Sequence, residues 1–146
     1  ARNDLSRSCT NVAVEKDREI QFYSHVIHLV SKVTGKLKYD NNKIIGETFP
    51  AGTLTGAPKH MAIKLIEKYE GSKRSFYGGA IGFIGFDYSY NHAIIIRSFL
   101  SKNKKLFFQA GAGIVSKSSK INELNEVNNK IRALKKSIEQ AEKYEE

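Results

Sequence analysis

Glu123, Glu126 and Lys130 stand three and four residues apart in the stretch ELNEVNNK. On a helix these spacings put the three charged side chains on one face. Two carboxylates one turn apart can ligate a hard divalent cation such as Mg2+, which takes carboxylate oxygens and keeps several waters. Lys130 would then present an ammonium to an anion on the same metal. The same residues also make an ordinary solvated face with an i,i+4 Glu–Lys pair, worth ~0.2–0.5 kcal/mol to a helix. Spacing alone leaves both readings open. Upstream, QAGAGIV places Gly111, Ala112 and Gly113 at what reads as a strand end. This is not a phosphate-binding loop, since no Gly-Lys-Ser/Thr follows, nor a dinucleotide fingerprint, since the third glycine and the βαβ context are missing. Glycine here frees backbone N–H and C=O groups to approach a ligand, or lets the strand pack closely on a neighbour.

Arg97 interrupts the apolar run AIIIRSFL, either as an edge residue or as a guanidinium holding a carboxylate, for which its planar fork is suited. Tyr77, before GGA on an adjoining predicted strand, adds a hydroxyl or serves as a core aromatic. His25 and His28 are three apart, so on a strand they face opposite sides and do not make a joint zinc site. Either has the titration range for acid–base work. His60 and His92 read as helix-surface and strand-start residues, and no Ser-His-Asp or CxxC pattern occurs. Cys9 is the one cysteine, which excludes an internal disulfide and fits a reducing cytoplasmic setting; it reads as a packing residue.

The elements that must position these residues follow from periodicity. Residues 20–34 alternate as a strand, with Gly35 turning the chain, and 40–48 form a short helix with Asp40 near its cap. Pro50, Gly52, Gly56 and Pro58 mark a loop into a helix whose apolar face is Met61, Leu65 and Ile66 and which Gly71 ends. Strands at 76–87, 92–100 and 106–115 form an antiparallel meander, with KNKK (102–105) as a lysine-rich hairpin tip. A long helix from about Ile121 to Tyr144 carries Leu124, Val127, Ile131, Leu134 and Ile138 on its apolar stripe. The class is α+β.

The 24 Lys+Arg residues against 15 Asp+Glu give a net charge of +9. The basic residues are dispersed, so we expect no nucleic-acid partner. No apolar run approaches the ~18–20 residues that span a bilayer, so we expect no membrane partner. The chain starts without methionine in what reads as a strand-to-loop segment, and we expect it to be a segment of a longer protein.

Taken in order, ARNDL, YSHVIHLVSKVTGKL, FPAGTLTGAPKHMAIKLI, YGGAIGFIGFD, AIIIRS, QAGAGIV and ELNEVNNKIRAL resemble the C-terminal part of the chorismate-utilising enzymes, over nearly the whole chain. FPAGT and YGGAIG lean toward anthranilate synthase component I rather than aminodeoxychorismate synthase component I. The resemblance implies a layered α/β sandwich of antiparallel sheets with outer helices, residues 1–146 being the C-terminal portion of a chorismate-binding domain. It further implies a Mg2+-dependent lyase of tryptophan biosynthesis that converts chorismate and ammonia, delivered by a glutamine amidotransferase subunit, into anthranilate and pyruvate.

By the same resemblance, Glu123 and Glu126 help bind Mg2+ and Lys130 meets a substrate carboxylate. Gly111, Ala112 and Gly113 form the backbone cradle for the ring carboxylate. Arg97 and Tyr77 grip the enolpyruvyl carboxylate, Thr53 contacts substrate, and His28 is the catalytic histidine near the departing ring hydroxyl. Asn125 and the loop SKSSKIN depart from the more acidic residues usual in relatives. The family also has segments before ARNDL that supply another metal-binding acid, the general acid and the rest of the sandwich. We therefore expect the 146-residue chain alone not to turn over chorismate, and its exposed sheet faces to favour homo-oligomers.

Overall fold

The computed structural model describes residues 1–22, 27–38 and 41–144, which divide into two units. The first comprises residues 1–52 and 84–90, the second residues 53–83 and 91–146.

The first unit opens with helix α1 (Arg2–Ser8), not the expected strand-to-loop segment, and continues directly into strand β1 (Cys9–Phe22). Strand β2 (Ile27–Leu37) pairs antiparallel with β1 from Cys9↔Leu37 to Phe22↔Ile27. The single strand expected over 20–34 is thus divided between two strands; Tyr23 and His25, together with Ser24 and Val26, lie outside the described residues. Alternation is the same on both sides of a hairpin, so periodicity cannot reveal where the chain reverses. The ladder shifts register between Thr10 and Ala13, Val14 and Lys16, and Lys16 and Glu19. Asn11 and Arg18, in two of these shifts, have φ of 51° and 52°, the left-handed conformation common in bulges.

Gly35 does not turn the chain; it lies within β2. A Cβ there would stand 2.9 Å from Cys9 Cβ and 3.2 Å from Val12 Cγ2, so glycine permits close approach of the two strands. Helix α2 (Asn41–Thr48) follows as expected, while Asp40 lies outside the described residues. The core of this unit is small. Ser8 is fully buried and its hydroxyl donates to Glu47 Oε2 at 2.6 Å, while Lys38 N–H donates to the Ser8 carbonyl at 2.9 Å. Cys9 is buried beside them in sequence, in agreement with a packing role.

In the second unit, helix α3 (Lys59–Tyr69) has Pro58 as its N-cap residue and ends at Glu70, immediately before Gly71. Of its expected apolar face only Ile66 is partly covered; Met61 and Leu65 are exposed. Strands β3 (Ala80–Ile84) and β4 (Tyr90–Ile94) pair, as do β5 (Leu100–Lys102) and β6 (Lys105–Phe107). The expected three-stranded meander is therefore two separate hairpins, and residues 108–115 belong to no ladder among the described residues. The KNKK tip behaves as expected: Asn103 and Lys104 have φ of 53° and 58°, as a two-residue type I′ turn requires.

Helix α4 (Lys120–Glu142) matches expectation closely. Ser119 caps it, its hydroxyl accepting from Asn122 N–H at 3.2 Å. Leu134 is its buried residue and Val127, Ile131 and Ile138 are half-buried, whereas Leu124 is exposed. Glu123 and Lys130 share the half-buried stripe with them.

The chain exposes 11978 Å2. Among the exposed apolar residues are Ile81, Phe83 and Ile84 on β3 and Ile20, Phe22, Ile27 and Leu29 on the first hairpin.

Candidate functional site

The second unit assembles an anion-binding geometry from two distant parts of the sequence. Lys130 projects from α4 and its ammonium donates to the Gly111 carbonyl at 2.9 Å and to Glu126 Oε1 at 2.5 Å. An ammonium has three N–H donors, so two such bonds leave one for an incoming anion. The N–H groups of Gly111, Ala112 and Gly113 make no hydrogen bond among the described residues. Three consecutive unengaged donors next to a fixed cation suit a carboxylate or phosphate. These glycines are not at a strand end, as expected; they lie in backbone outside any ladder, and that is what leaves their donors available.

Tyr77 reaches the same place. A Cβ added to Gly111 would lie 3.5 Å from the Tyr77 hydroxyl oxygen, so the hydroxyl flanks the glycine run. Arg74 organises the residues behind it. Its Nε donates to Glu70 Oε2 at 2.8 Å and Oε1 at 3.1 Å, its Nη2 to Glu70 Oε1 at 2.5 Å, and its Nη1 to the Leu54 carbonyl at 2.5 Å. Its guanidinium carbon stands 5.7 Å from the Tyr77 ring centroid, within cation–π range. The Glu70 carboxylate raises the Arg74 pKa above its ordinary value, chiefly through this hydrogen bonding. Gly78, with φ of 74°, tightens the arrangement: a Cβ there would stand 3.2 Å from Leu54 Cδ1. Arg74 escaped the reading of the sequence, although its i,i+4 spacing from Glu70 was the available signal.

The remaining expected site residues are placed as follows. Thr53 is exposed in the 3-10 turn Gly52–Leu54, next to the carbonyl that Arg74 holds. Arg97 is not in a strand of core residues: it is exposed at a bend between β4 and β5, with φ of 52°. His28 lies on β2 in the first unit, half-buried and opposite Gln21.

Glu123 is half-buried and Glu126 exposed, on successive turns of α4. Among the described residues, no group of three or more His, Cys, Asp or Glu is placed to hold a metal. Two carboxylates fit a cation that takes the rest of its shell from water and a substrate anion, as Mg2+ does, and not a structural zinc. No helix is long and apolar enough to cross a membrane among the described residues.

Residues 1–136 match the family described as chorismate binding enzyme. Anthranilate synthase component 1 of Aquifex aeolicus (strain VF5) is 44% identical over 150 aligned positions, covering 100% of this chain and 30% of that protein. The protein of the same name from Mycobacterium tuberculosis (strain ATCC 25618 / H37Rv) is 47% identical over 145 positions, covering 97% and 28%. The chain thus spans about three tenths of the length of these relatives. Among solved structures, anthranilate synthase component I from Streptococcus pneumoniae TIGR4 superposes with a TM-score of 0.80 at 40% identity, covering 88% of this chain and 31% of that one. A putative 2,3-dihydroxybenzoate-specific isochorismate synthase from Bacillus anthracis gives 0.82 at 24% identity over 93% and 37%, a likeness of fold alone. The α+β fold expected of the family is therefore the fold of this chain.

Proposed function

The chain belongs to the chorismate binding enzyme family, and from that premise we propose that it forms the chorismate-binding part of an anthranilate synthase component I. The activity is the conversion of chorismate and ammonia to anthranilate and pyruvate. The supporting observation is the Lys130–Gly111 contact beside three unengaged backbone N–H donors, a receptor for one of the two carboxylates of chorismate.

In this reading the third Lys130 N–H and the N–H groups of Gly111, Ala112 and Gly113 bind the ring carboxylate and draw electron density from the ring as ammonia adds at C2. Tyr77 and Arg97 hold the enolpyruvyl carboxylate, and Thr53 contacts the substrate. His28 assists departure of the C4 hydroxyl as water, a contribution typically of ~10²–10⁴ in rate. Loss of pyruvate then restores an aromatic ring. Glu123 and Glu126 would hold Mg2+, which when bound supplies positive charge to the ring carboxylate. Ammonia is delivered by a glutamine amidotransferase partner, and the setting is cytoplasmic.

The test is product analysis of the full-length gene product with chorismate, ammonia and Mg2+. Fluorescent anthranilate is the expected product. A product that becomes aromatic only after a separate lyase is added would assign the aminodeoxychorismate branch instead, and no consumption of chorismate would overturn the proposal.

A further inference from the structure

We infer that Arg74 is a positioning residue for the substrate site, fixing the Tyr77 hydroxyl beside Gly111 and tethering the turn that carries Thr53. The inference rests on the chorismate reading for its substrate, but its geometry stands within the second unit alone. One guanidinium spends its donors in two directions: a fork to Glu70 at the end of α3, and a single bond to the Leu54 carbonyl twenty residues earlier. The guanidinium carbon lies over the Tyr77 ring, 5.7 Å from the centroid. The Arg74 carbonyl accepts from Tyr77 N–H at 2.9 Å, so the backbone and the side chain of Arg74 both restrain Tyr77.

The environment favours a structured fork over a loose surface pair. The Arg74 and Glu70 side chains are only 24% and 33% exposed, and a bidentate, partly covered guanidinium–carboxylate pair holds its geometry better than an exposed lysine pair does. A lysine could meet Glu70 or the Leu54 carbonyl, but it lacks the planar fork that reaches both while the guanidinium carbon lies over the Tyr77 ring. With Arg74 truncated, Tyr77 and Thr53 each lose a restraint though neither side chain is altered, and the loss falls on substrate placement.

The experiment compares Arg74→Ala, Arg74→Lys, Tyr77→Phe and the Arg74→Ala/Tyr77→Phe double variant in the full-length gene product, by steady-state kinetics with chorismate. Expected is a rise in KM of about tenfold for Arg74→Ala with kcat changed far less, and no recovery in Arg74→Lys. In the double variant the two effects should fail to multiply, because the first acts partly through the second. Unchanged KM in Arg74→Ala, or fully multiplicative effects, would overturn the inference. If Arg74→Ala does not fold, Glu70→Gln, which keeps the packing and removes the charge, carries the same cycle. A crystal structure of the Arg74 variant reads the inference without substrate: a Tyr77 hydroxyl still beside Gly111 would overturn it. Failure of the wild-type protein to consume chorismate would count against the proposed function alone.

Discussion

The Lys130 ammonium donates to the Gly111 carbonyl at 2.9 Å across nineteen residues of sequence. That bond ties the charged face of α4 to the glycine run, and Glu126 holds the same ammonium from the other side. The lysine is thereby fixed before any anion arrives, so ordering it on binding costs less than ordering a free lysine side chain would.

Lys130→Met should weaken chorismate binding most among single changes at the site. Truncating one partner of a close charge pair typically costs ~2 kcal/mol or more, which corresponds to a KM raised at least ~30-fold. Steady-state kinetics of the full-length gene product check this; a KM within threefold of wild type would remove Lys130 from substrate binding.

Glu123→Gln and Glu126→Gln should each abolish the stimulation of turnover by Mg2+. Loss of even an outer partner of a metal site commonly lowers affinity ~10–100-fold, and loss of a direct ligand should do no less. Chelation with EDTA should silence the wild-type protein and added Mg2+ restore it. A Mg2+ titration of both variants identical to wild type would remove the metal assignment.

Gly35→Val should destabilise the first unit by ~1–3 kcal/mol through overpacking. The cause is steric: any Cβ at this position meets Cys9 and Val12 across the hairpin. Equilibrium denaturation measures it, and Gly35→Ala should show a smaller loss in the same direction.

The turn after β3 should loosen in acid. The Asp87 carboxylate accepts from Ser89, whose backbone N–H stands at 3.0 Å, and these bonds hold its pKa below the ordinary 3.8. A depressed carboxyl contributes stability that is present above the unfolded value and lost as pH falls through the folded one. NMR titration of Asp87 should therefore give a midpoint below 3.8, and Ser89→Ala should move it upward. An unmoved midpoint in Ser89→Ala would show that the Ser89 hydroxyl does not set it.

Much was legible in the sequence because it is local. The span of α4 and the buried face containing Leu134 follow from 3.6-residue periodicity. The KNKK turn follows from a lysine-rich, solvated run between two apolar segments. The order of the motifs, together with their residue types, pointed to the family that residues 1–136 match.

What only the tertiary structure decided is every relationship between segments. Alternation from Ile20 onward could not reveal that β1 passes its pattern to an antiparallel β2. Residues 108–115 have the composition of a strand, yet a strand exists only where a neighbour supplies the ladder, and none does among the described residues. Arg97 is open in the sequence as an edge residue or as a guanidinium holding a carboxylate within a strand; the fold puts it at an exposed bend with a left-handed φ. Arg74 acquires its place only because Leu54, Glu70 and Tyr77 converge on it. Sequence sets which backbone conformations and faces are cheap for each segment; the placing of Lys130 on Gly111 required two segments to be packed together, and that energy is non-local.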